Sequence, residues 1–295
     1  MRVLLVGGQG MAGHMIAAYW HRMTRDELTI TIRPRPKGAS HADDAPPTNP
    51  LPCGPNVQIR ELDALQFSEV ARTVREVKPD LIINAAGILN REAENRPEDA
   101  WRINGLLPHG LARLADGLKA RLIHISTDCV FSGARGMYKE TDEPDGTSMY
   151  AITKAFGEVT RPPHVTLRTS IIGPDRKADG IGLMKWFMSQ KGRVPGYRNV
   201  LWNGVTTLEL AKACLHLARR ADVAGLVHLA APQPVSKHDL LGMMRDIFEK
   251  RDAELVPADE PRIDRTLAVT RTDVRFAVPD YPAMLRELKE WMCRL

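Results

Sequence analysis

No stretch of this chain approaches the roughly 18 uninterrupted apolar residues that a membrane-spanning helix needs. The most apolar run, MRVLLVGGQGMAGHMIAAYW at the start, is broken by Gly7, Gly8, Gly10 and Gly13 and precedes no small-residue cleavage site, so it reads as strand, turn and helix, not as a signal peptide. Cysteine is scarce. Cys53, Cys129, Cys214 and Cys293 lie far apart with no CxxC, which argues against a zinc ribbon or a disulfide scaffold and fits a reducing cytoplasm. Aromatic residues make up 5 %, and the basic residues behind a net charge of +5 are dispersed among acids, a poor match to a nucleic-acid-binding surface. None of the nine histidines falls into metal-ligand spacing, so no metal site is expected. What remains is an ordinary globular composition, 43 % hydrophobic and 26 % charged over 295 residues, enough for one large domain or two small ones.

The first half alternates short apolar runs with amphipathic stretches. Arg2–Val6, Leu28–Ile32, Val57–Glu61, Asp80–Asn84, Arg121–Ser126 and His164–Thr169 read as strands. Gly10–Arg22, Phe67–Val77, Pro97–Leu118 and Tyr150–Thr160 read as helices. Lys78-Pro79 stops the second helix, because proline disfavours helix at the residue before it. This alternation implies an α/β fold, a Rossmann-type doubly wound parallel sheet with crossover helices. Pro34–Pro55 holds seven prolines without hydrophobic periodicity and reads as a surface loop. Beyond residue 170 the alternation loosens. Ile181–Lys191 and Thr207–Arg220 read as helices and Leu226–Leu229 as a strand, while Gly173–Gly204 is expected to carry loops at one end of the sheet. Ser236 caps a helix reaching Arg251, and a last helix covers Pro282–Met292. The expected division is a dinucleotide-binding domain over 1–170, rejoined by 204–230, and a smaller C-terminal α/β substrate-binding part over 171–203 and 231–295.

Gly7, Gly10 and Gly13 form a GxxGxxG turn between an apolar strand and a helix, with Met11 as the first helical residue. Such a turn lets the backbone approach a pyrophosphate, and the helix N-terminus points free N–H groups at the anion. The second strand ends in Arg33-Pro34-Arg35 with no acid at its tip. An acid there would bind the ribose hydroxyls of NAD; Arg33, with Arg35, can instead clamp the 2′-phosphate of NADP, a solvated basic loop being the alternative. Asp63, after the third strand, can accept from the adenine amino group, and Ala85, Ala86 and Gly87 end the fourth strand beside the turn.

Tyr150 and Lys154 share one helix face at i and i+4. A neighbouring ammonium favours phenolate and is expected to lower the Tyr150 pKa toward neutrality. Such a pair is cheap by itself; its company makes it specific. Thr127 follows a parallel strand at its carboxyl end, where open α/β sheets bind ligands, and Asn84 ends the strand before it. His124 alternates into a core strand and reads as packing, Asn104 as a buried amide bracing the backbone, and Cys129 as a small buried hydrophobe.

These pieces together resemble an extended short-chain dehydrogenase/reductase, and within it the dTDP-4-dehydrorhamnose reductase group of nucleotide-sugar 4-keto reductases. The matching segments are the glycine turn, PDLIINAAG (79–87), INGLLPHGLA (103–112), ISTDCVFSG (125–133), GMYKE (136–140), MYAITKAFGE (149–158) and LRTSIIGP (167–174), in order over about the first 175 residues. LAAPQPVSKHDLL (229–241) resembles the family's sugar-binding part. The resemblance implies an NADPH-dependent oxidoreductase, NADH being the alternative, that reduces the C4 ketone of a nucleotide-activated 6-deoxy-4-keto sugar for cell-surface polysaccharide synthesis. It implies that Tyr150 donates the proton, that Lys154 holds the nicotinamide ribose, that Thr127 hydrogen-bonds the substrate oxygen, and that a homodimer is the candidate assembly. Asp128 is followed by Cys129 where 4,6-dehydratases carry Glu, which disfavours dehydration. Cys129 stands where GDP-fucose synthases place an epimerisation acid/base, but no histidine lies between His164 and His216 to pair with it. The alternatives are therefore a combined epimerase–reductase and a non-catalytic dinucleotide-binding subunit resembling that of methionine adenosyltransferase.

Overall fold

The computed structural model describes residues 1–34, 50–176, 180 and 182–294. Arg35 and most of the proline-rich segment lie outside them. Seven strands, β1 (Arg2–Val6), β2 (Glu27–Ile32), β3 (Val57–Glu61), β4 (Leu81–Asn84), β5 (Arg121–Ile125), β6 (Val165–Arg168) and β7 (Gly225–His228), form one parallel sheet in the order β7-β6-β5-β4-β1-β2-β3. The fold is a Rossmann-like α/β sheet. The chain builds outward from β1 to β3, then crosses back to start β4 on the other side of β1, so the strand order reverses between β1 and β4.

The strands are nearly continuous apolar runs because both faces of the sheet are covered. Period-two alternation sorts their side chains. Val3 and Leu5 face a layer made by α1 (Met11–Met23), with Trp20 fully buried, and helices from the C-terminal part of the chain. Leu4 and Val6 face α2 (Phe67–Val77) and α3 (Leu107–Gly117). Truncating a fully buried leucine such as Leu5 to alanine costs about 2–5 kcal/mol in such a core. The helix α4 (Met149–Phe156), capped by the Ser148 hydroxyl accepting from the Ala151 N–H at 3.1 Å, carries Tyr150 into the second layer.

Two expectations need correction. The long helix over Pro97–Leu118 is interrupted: Trp101–Leu106 widens to π-helical geometry before α3 begins. Pro108 has no N–H to give the Asn104 carbonyl, so one bond of the regular ladder cannot form there. Gly173–Gly204 is not only loop. Gly192–Tyr197 is a strand that pairs in parallel with Ala253–Ala258, Gly192 beside Ala253. Val200–Trp202 pairs with Val235–Ser236 and Ile263–Asp264. These short strands carry Pro195 and Gly196 and show no usable alternation; they exist through partners far along the chain. Leu183–Ser189 is a short helix, and the remaining helices of eight or more residues are α5 (Thr207–Ala218), α6 (Lys237–Ile247), N-capped by Ser236, and α7 (Tyr281–Met292). Leu208 of α5, Leu240 and Met244 of α6 and Leu285 of α7 belong to the same apolar cluster as Val3 and Leu5, so the C-terminal elements share the core of the sheet. Among the described residues, no helix is long and apolar enough to cross a membrane.

Candidate active site

β1 and β4 end side by side, Val6 opposite Asn84, which brings Gly7 against Ala85 and Ala86 at the strand-order reversal. That crevice is where open α/β sheets take ligands. Gly7 has φ +89°, and a Cβ there would lie 2.7 Å from the Ala86 nitrogen. The Gly10 N–H closes the turn on the Gly7 carbonyl at 3.1 Å, and a Cβ on Gly13 would sit 2.1 Å from that carbonyl oxygen. Only glycine satisfies both positions. The turn is held to β2 by two side chains: Thr31 Oγ1 accepts from the Gly7 N–H at 3.3 Å, and Gln9 Oε1 accepts from the Arg33 N–H at 3.0 Å. Gln9 was not singled out in the sequence, where nothing distinguishes it from any polar turn residue.

A cleft opens over this turn, lined by Gly7, Gly10, Arg33, Asp63 and Ala85–Gly87 among others. The structure thus brings together most of the cofactor-site candidates. Gly13 lies beneath the turn. Met11 stands to one side with its thioether against Gly182, leaving its backbone N–H, at the first turn of α1, as what it can offer the cleft. Asp63 Oδ1 accepts from the Leu65 N–H at 3.0 Å, which fixes the loop after β3.

The second cluster lies at the end of β5. Thr127 caps a short turn: its hydroxyl oxygen accepts from the Cys129 N–H at 3.1 Å and its proton is directed at Asp128 Oδ1, 3.2 Å away. Tyr150 and Lys154 both occupy the buried face of α4. Asn104 bridges this helix to the loop after β4, accepting from the Ile88 N–H and donating to the Ile88 carbonyl, both at 2.9 Å, and to Thr153 Oγ1 at 3.2 Å. The expected bracing amide is what the structure contains.

Lys154 is turned toward β5. Its Nζ donates to the Ile125 carbonyl at 2.6 Å and lies 3.4 Å from His124 Nε2. On the far side of that ring, Asn84 Nδ2 is 3.1 Å from His124 Nδ1. His124 is therefore fully buried, as its alternation implies, but it is a polar core residue in contact with Asn84 and with the site candidate Lys154.

Burial dominates the electrostatics. It raises the Tyr150 phenol above its ordinary value; Cys129 and Asp128 add to the rise, and only the Thr127 hydroxyl opposes it. The expected lowering by Lys154 is not met, because its ammonium is directed at the Ile125 carbonyl and desolvation of the phenol outweighs any help from it. Lys154 itself is brought down to about 8 by burial, against the pull of Glu158. Burial, with Asp128 adding, pushes the Cys129 thiol up to about 12. Asp128 is raised by burial, against the pull of Lys237 and Arg265. Lys237, the first residue of α6, is lowered to about 8 by burial and sits with its Nζ 4.8 Å from the centre of the Trp202 ring. Sequence reasoning missed Lys237, Trp202 and Arg265, which reach the site only through the long-range strand pairings. Below the cluster, Arg168 and Glu158 form a buried bidentate pair at 2.7 and 2.6 Å, and Ser126 Oγ donates to Glu158 Oε1 at 2.7 Å. Among the described residues, no group of three or more His, Cys, Asp or Glu could hold a metal ion.

A family model described as the RmlD substrate binding domain matches residues 1–268. The chain is 31 % identical over 192 residues to a dTDP-4-dehydrorhamnose reductase of Salmonella typhimurium, a match covering 61 % of this chain and 64 % of that protein, so it spans just under two thirds of that relative. It is 31 % identical over 265 residues to a dTDP-4-dehydrorhamnose reductase of Mycobacterium tuberculosis, covering 86 % of this chain and 76 % of that one. Methionine adenosyltransferase 2 subunit beta of Xenopus tropicalis is 27 % identical over 223 residues, 68 % of this chain and 64 % of its own. The crystal structure of a dTDP-4-dehydrorhamnose reductase from Bacillus anthracis in complex with NADP has the same fold, with a TM-score of 0.74 over 98 % of this chain and 99 % of that chain at 17 % identity.

Proposed function

The chain belongs to the RmlD substrate binding domain family, and from that premise we infer that it is an NADPH-dependent reductase of the C4 ketone of a nucleotide-activated 6-deoxy-4-keto sugar, serving cell-surface polysaccharide synthesis. The observation that carries this reading is the presence, at the carboxyl ends of neighbouring strands of one sheet, of a glycine-lined cleft and of a buried Thr127, Tyr150 and Lys154.

The cleft fits the dinucleotide. The positions where a Cβ would strike the backbone are glycine, the N-terminal turn of α1 offers free N–H groups with no acidic side chain among them, and Arg33 stands at the tip of β2 where the 2′-phosphate would lie. When bound, NADPH supplies the hydride that adds to the C4 carbonyl carbon; NADH is the alternative donor. Asp63 takes the adenine end, and Gly87 with its two alanine neighbours borders the path toward the nicotinamide. Tyr150, protonated at neutral pH like any phenol and the more firmly so for its burial, gives its phenolic proton to the carbonyl oxygen as that oxygen gains charge. Thr127, once its hydroxyl proton turns from Asp128 to the substrate, hydrogen-bonds the same oxygen, so the developing alkoxide meets two donors. Lys154 holds the nicotinamide ribose and offsets the charge left on Tyr150 after proton transfer. Residues 1–170 and 204–230 form the dinucleotide-binding part, supported by the pairing of β7 with β6. Residues 171–203 and 231–295 bind the sugar nucleotide, supported by the pull of Lys237 and Arg265 on Asp128. A homodimer is the assembly in which this unit works.

Plain reduction is favoured over epimerisation plus reduction, because a thiol held near 12 does not abstract a proton at neutral pH. The test is purified protein, NADPH and a panel of enzymatically made 4-keto-6-deoxy nucleotide sugars. Oxidation of NADPH with at least one of them is expected. When run in D₂O, no deuterium should enter the carbons flanking C4; its entry would favour the epimerase–reductase. No turnover with any sugar would sink the reading and favour a non-catalytic dinucleotide-binding subunit, the alternative that the sequence leaves.

A further inference from the structure

The mechanism above leaves His124 and Asn84 without a role, although both are fully buried and one of them touches Lys154. Their hydrogen bonds fix a direction. Asn84 Oδ1 accepts from the Ala86 N–H at 3.2 Å, so the other end of the amide, Nδ2, is what faces the ring, donating to His124 Nδ1 at 3.1 Å. An Nδ1 that accepts carries no proton, so in the neutral ring the proton sits on Nε2. Burial first, and then Lys154, hold His124 well below its ordinary value, which keeps that ring neutral. The N–H on Nε2 is therefore aimed at Lys154 Nζ, 3.4 Å away. An ammonium has no lone pair to receive it; a neutral amine has one. Lys154 keeps its second contact, to the Ile125 carbonyl, in either state, since both forms can donate.

We propose that His124, its ring oriented by Asn84, is a positioning residue that presents an N–H to Lys154 and thereby sets the pH at which the lysine ammonium forms. The inference rests on the reading of Lys154 as the ribose-holding and charge-offsetting group. The ionisable groups around this contact are few. Glu158, at the end of the segment carrying α4, favours the ammonium; His109, on α3, acts on the ring from a distance; and Tyr150 lies one helical turn before Lys154. Among them His124 is the one whose contact with Nζ selects between amine and ammonium. The consequence is a lysine poised close to neutrality, able to gain charge when an anionic cofactor and a phenolate arrive beside it. A lysine fixed permanently in either state would lack that response.

The test uses the full-length protein labelled with ¹³C at the lysine ε-carbons, the Lys154 signal being assigned from the spectrum of Lys154→Met. The wild-type signal is expected to titrate near pH 8. In His124→Phe the ring volume stays but the N–H is gone, and the midpoint should move up by about one pH unit. Since this variant leaves the Asn84 amide facing a phenyl ring, Asn84→Leu/His124→Phe is read beside it, with the same upward shift expected. A midpoint that stays in place or moves down would overturn the proposal, because a ring that merely packs leaves the midpoint unmoved and a ring that accepts from Lys154 lowers it when removed. The alkaline limb of kcat with NADPH and a 4-keto sugar should follow the titration upward. If the wild type reduces no such sugar, the proposed reaction fails while the titration still decides the role of His124.

Discussion

The two ends of the crevice are built from different materials. At the glycine turn the shape is made by backbone and by the absence of side chains: a positive φ at Gly7, a carbonyl tucked where Gly13 lacks a Cβ, and N–H groups at the start of α1. At the end of β5 the site is made of buried and half-buried ionisable side chains, and Tyr150, Lys154, Asp128, Cys129 and Lys237 are all displaced from their ordinary pKa values chiefly by loss of water. On the proposed function, the first end holds its ligand through geometry available at any pH. The second depends on protonation states that desolvation sets and that substitutions will reset. Binding and turnover should therefore be separable by mutation.

The largest effect should come from Lys154. Lys154→Met is expected to lose turnover by about 10²–10⁴-fold, the scale of a lost acid–base function, and to weaken NADPH binding as well. It should also be more stable than the wild type at pH 7, by about 1–3 kcal/mol, since function here retains a desolvated charge. The sign follows from the folded value near 8 lying below the unfolded value of about 10.4. Between those values the unfolded chain binds more protons, so wild-type stability rises with pH across that window. The advantage of the variant should accordingly shrink from pH 8 to pH 10 in thermal melts. A variant less stable than the wild type at pH 7 would contradict the burial argument.

Gly7→Ala acts at the other end. Its methyl would meet the Ala86 backbone in a conformation that L-residues avoid, a strain of about 1–3 kcal/mol, or about 5- to 150-fold in NADPH affinity by titration. With saturating cofactor, kcat should recover; if it does not, the two ends are not separable. A smaller change is expected for Arg33→Ala. Arg33 is exposed, so its contact with a 2′-phosphate is screened, and the preference for NADPH over NADH should fall by about 1–2 kcal/mol while NADH affinity holds. Equal wild-type affinities for the two would remove Arg33 from the site.

The same contrast explains what was legible in the sequence. The glycine turn, the strand ends and the Tyr150–Lys154 pair are local: each lies within one contiguous motif whose residue types are dictated by sterics or helix period. Six of the seven sheet strands follow from apolar runs before residue 170, and β7 from LVHL. What escaped was relational. His124 alternates like any core residue, and its polar role depends on Lys154, thirty positions on. Lys237 and Arg265 reach Asp128 only because short strands such as Val200–Trp202 pair with partners far away in the chain. The direction of the Tyr150 shift was misjudged because spacing along a helix says which side chains share a face, not where an ammonium points or how much water a phenol has lost.

The most direct test of the central claim, that Tyr150 gives the proton at a site whose cofactor cradle is independent of it, is Tyr150→Phe assayed for both NADPH binding and turnover of the accepted sugar. The ring keeps its packing and only the hydroxyl is removed. The expected result is a kcat lower by about 10²–10⁴-fold with the NADPH dissociation constant within about threefold of wild type. Retention of more than about a tenth of wild-type kcat would leave the phenol less than one order of magnitude to explain and would contradict its assignment as the proton donor.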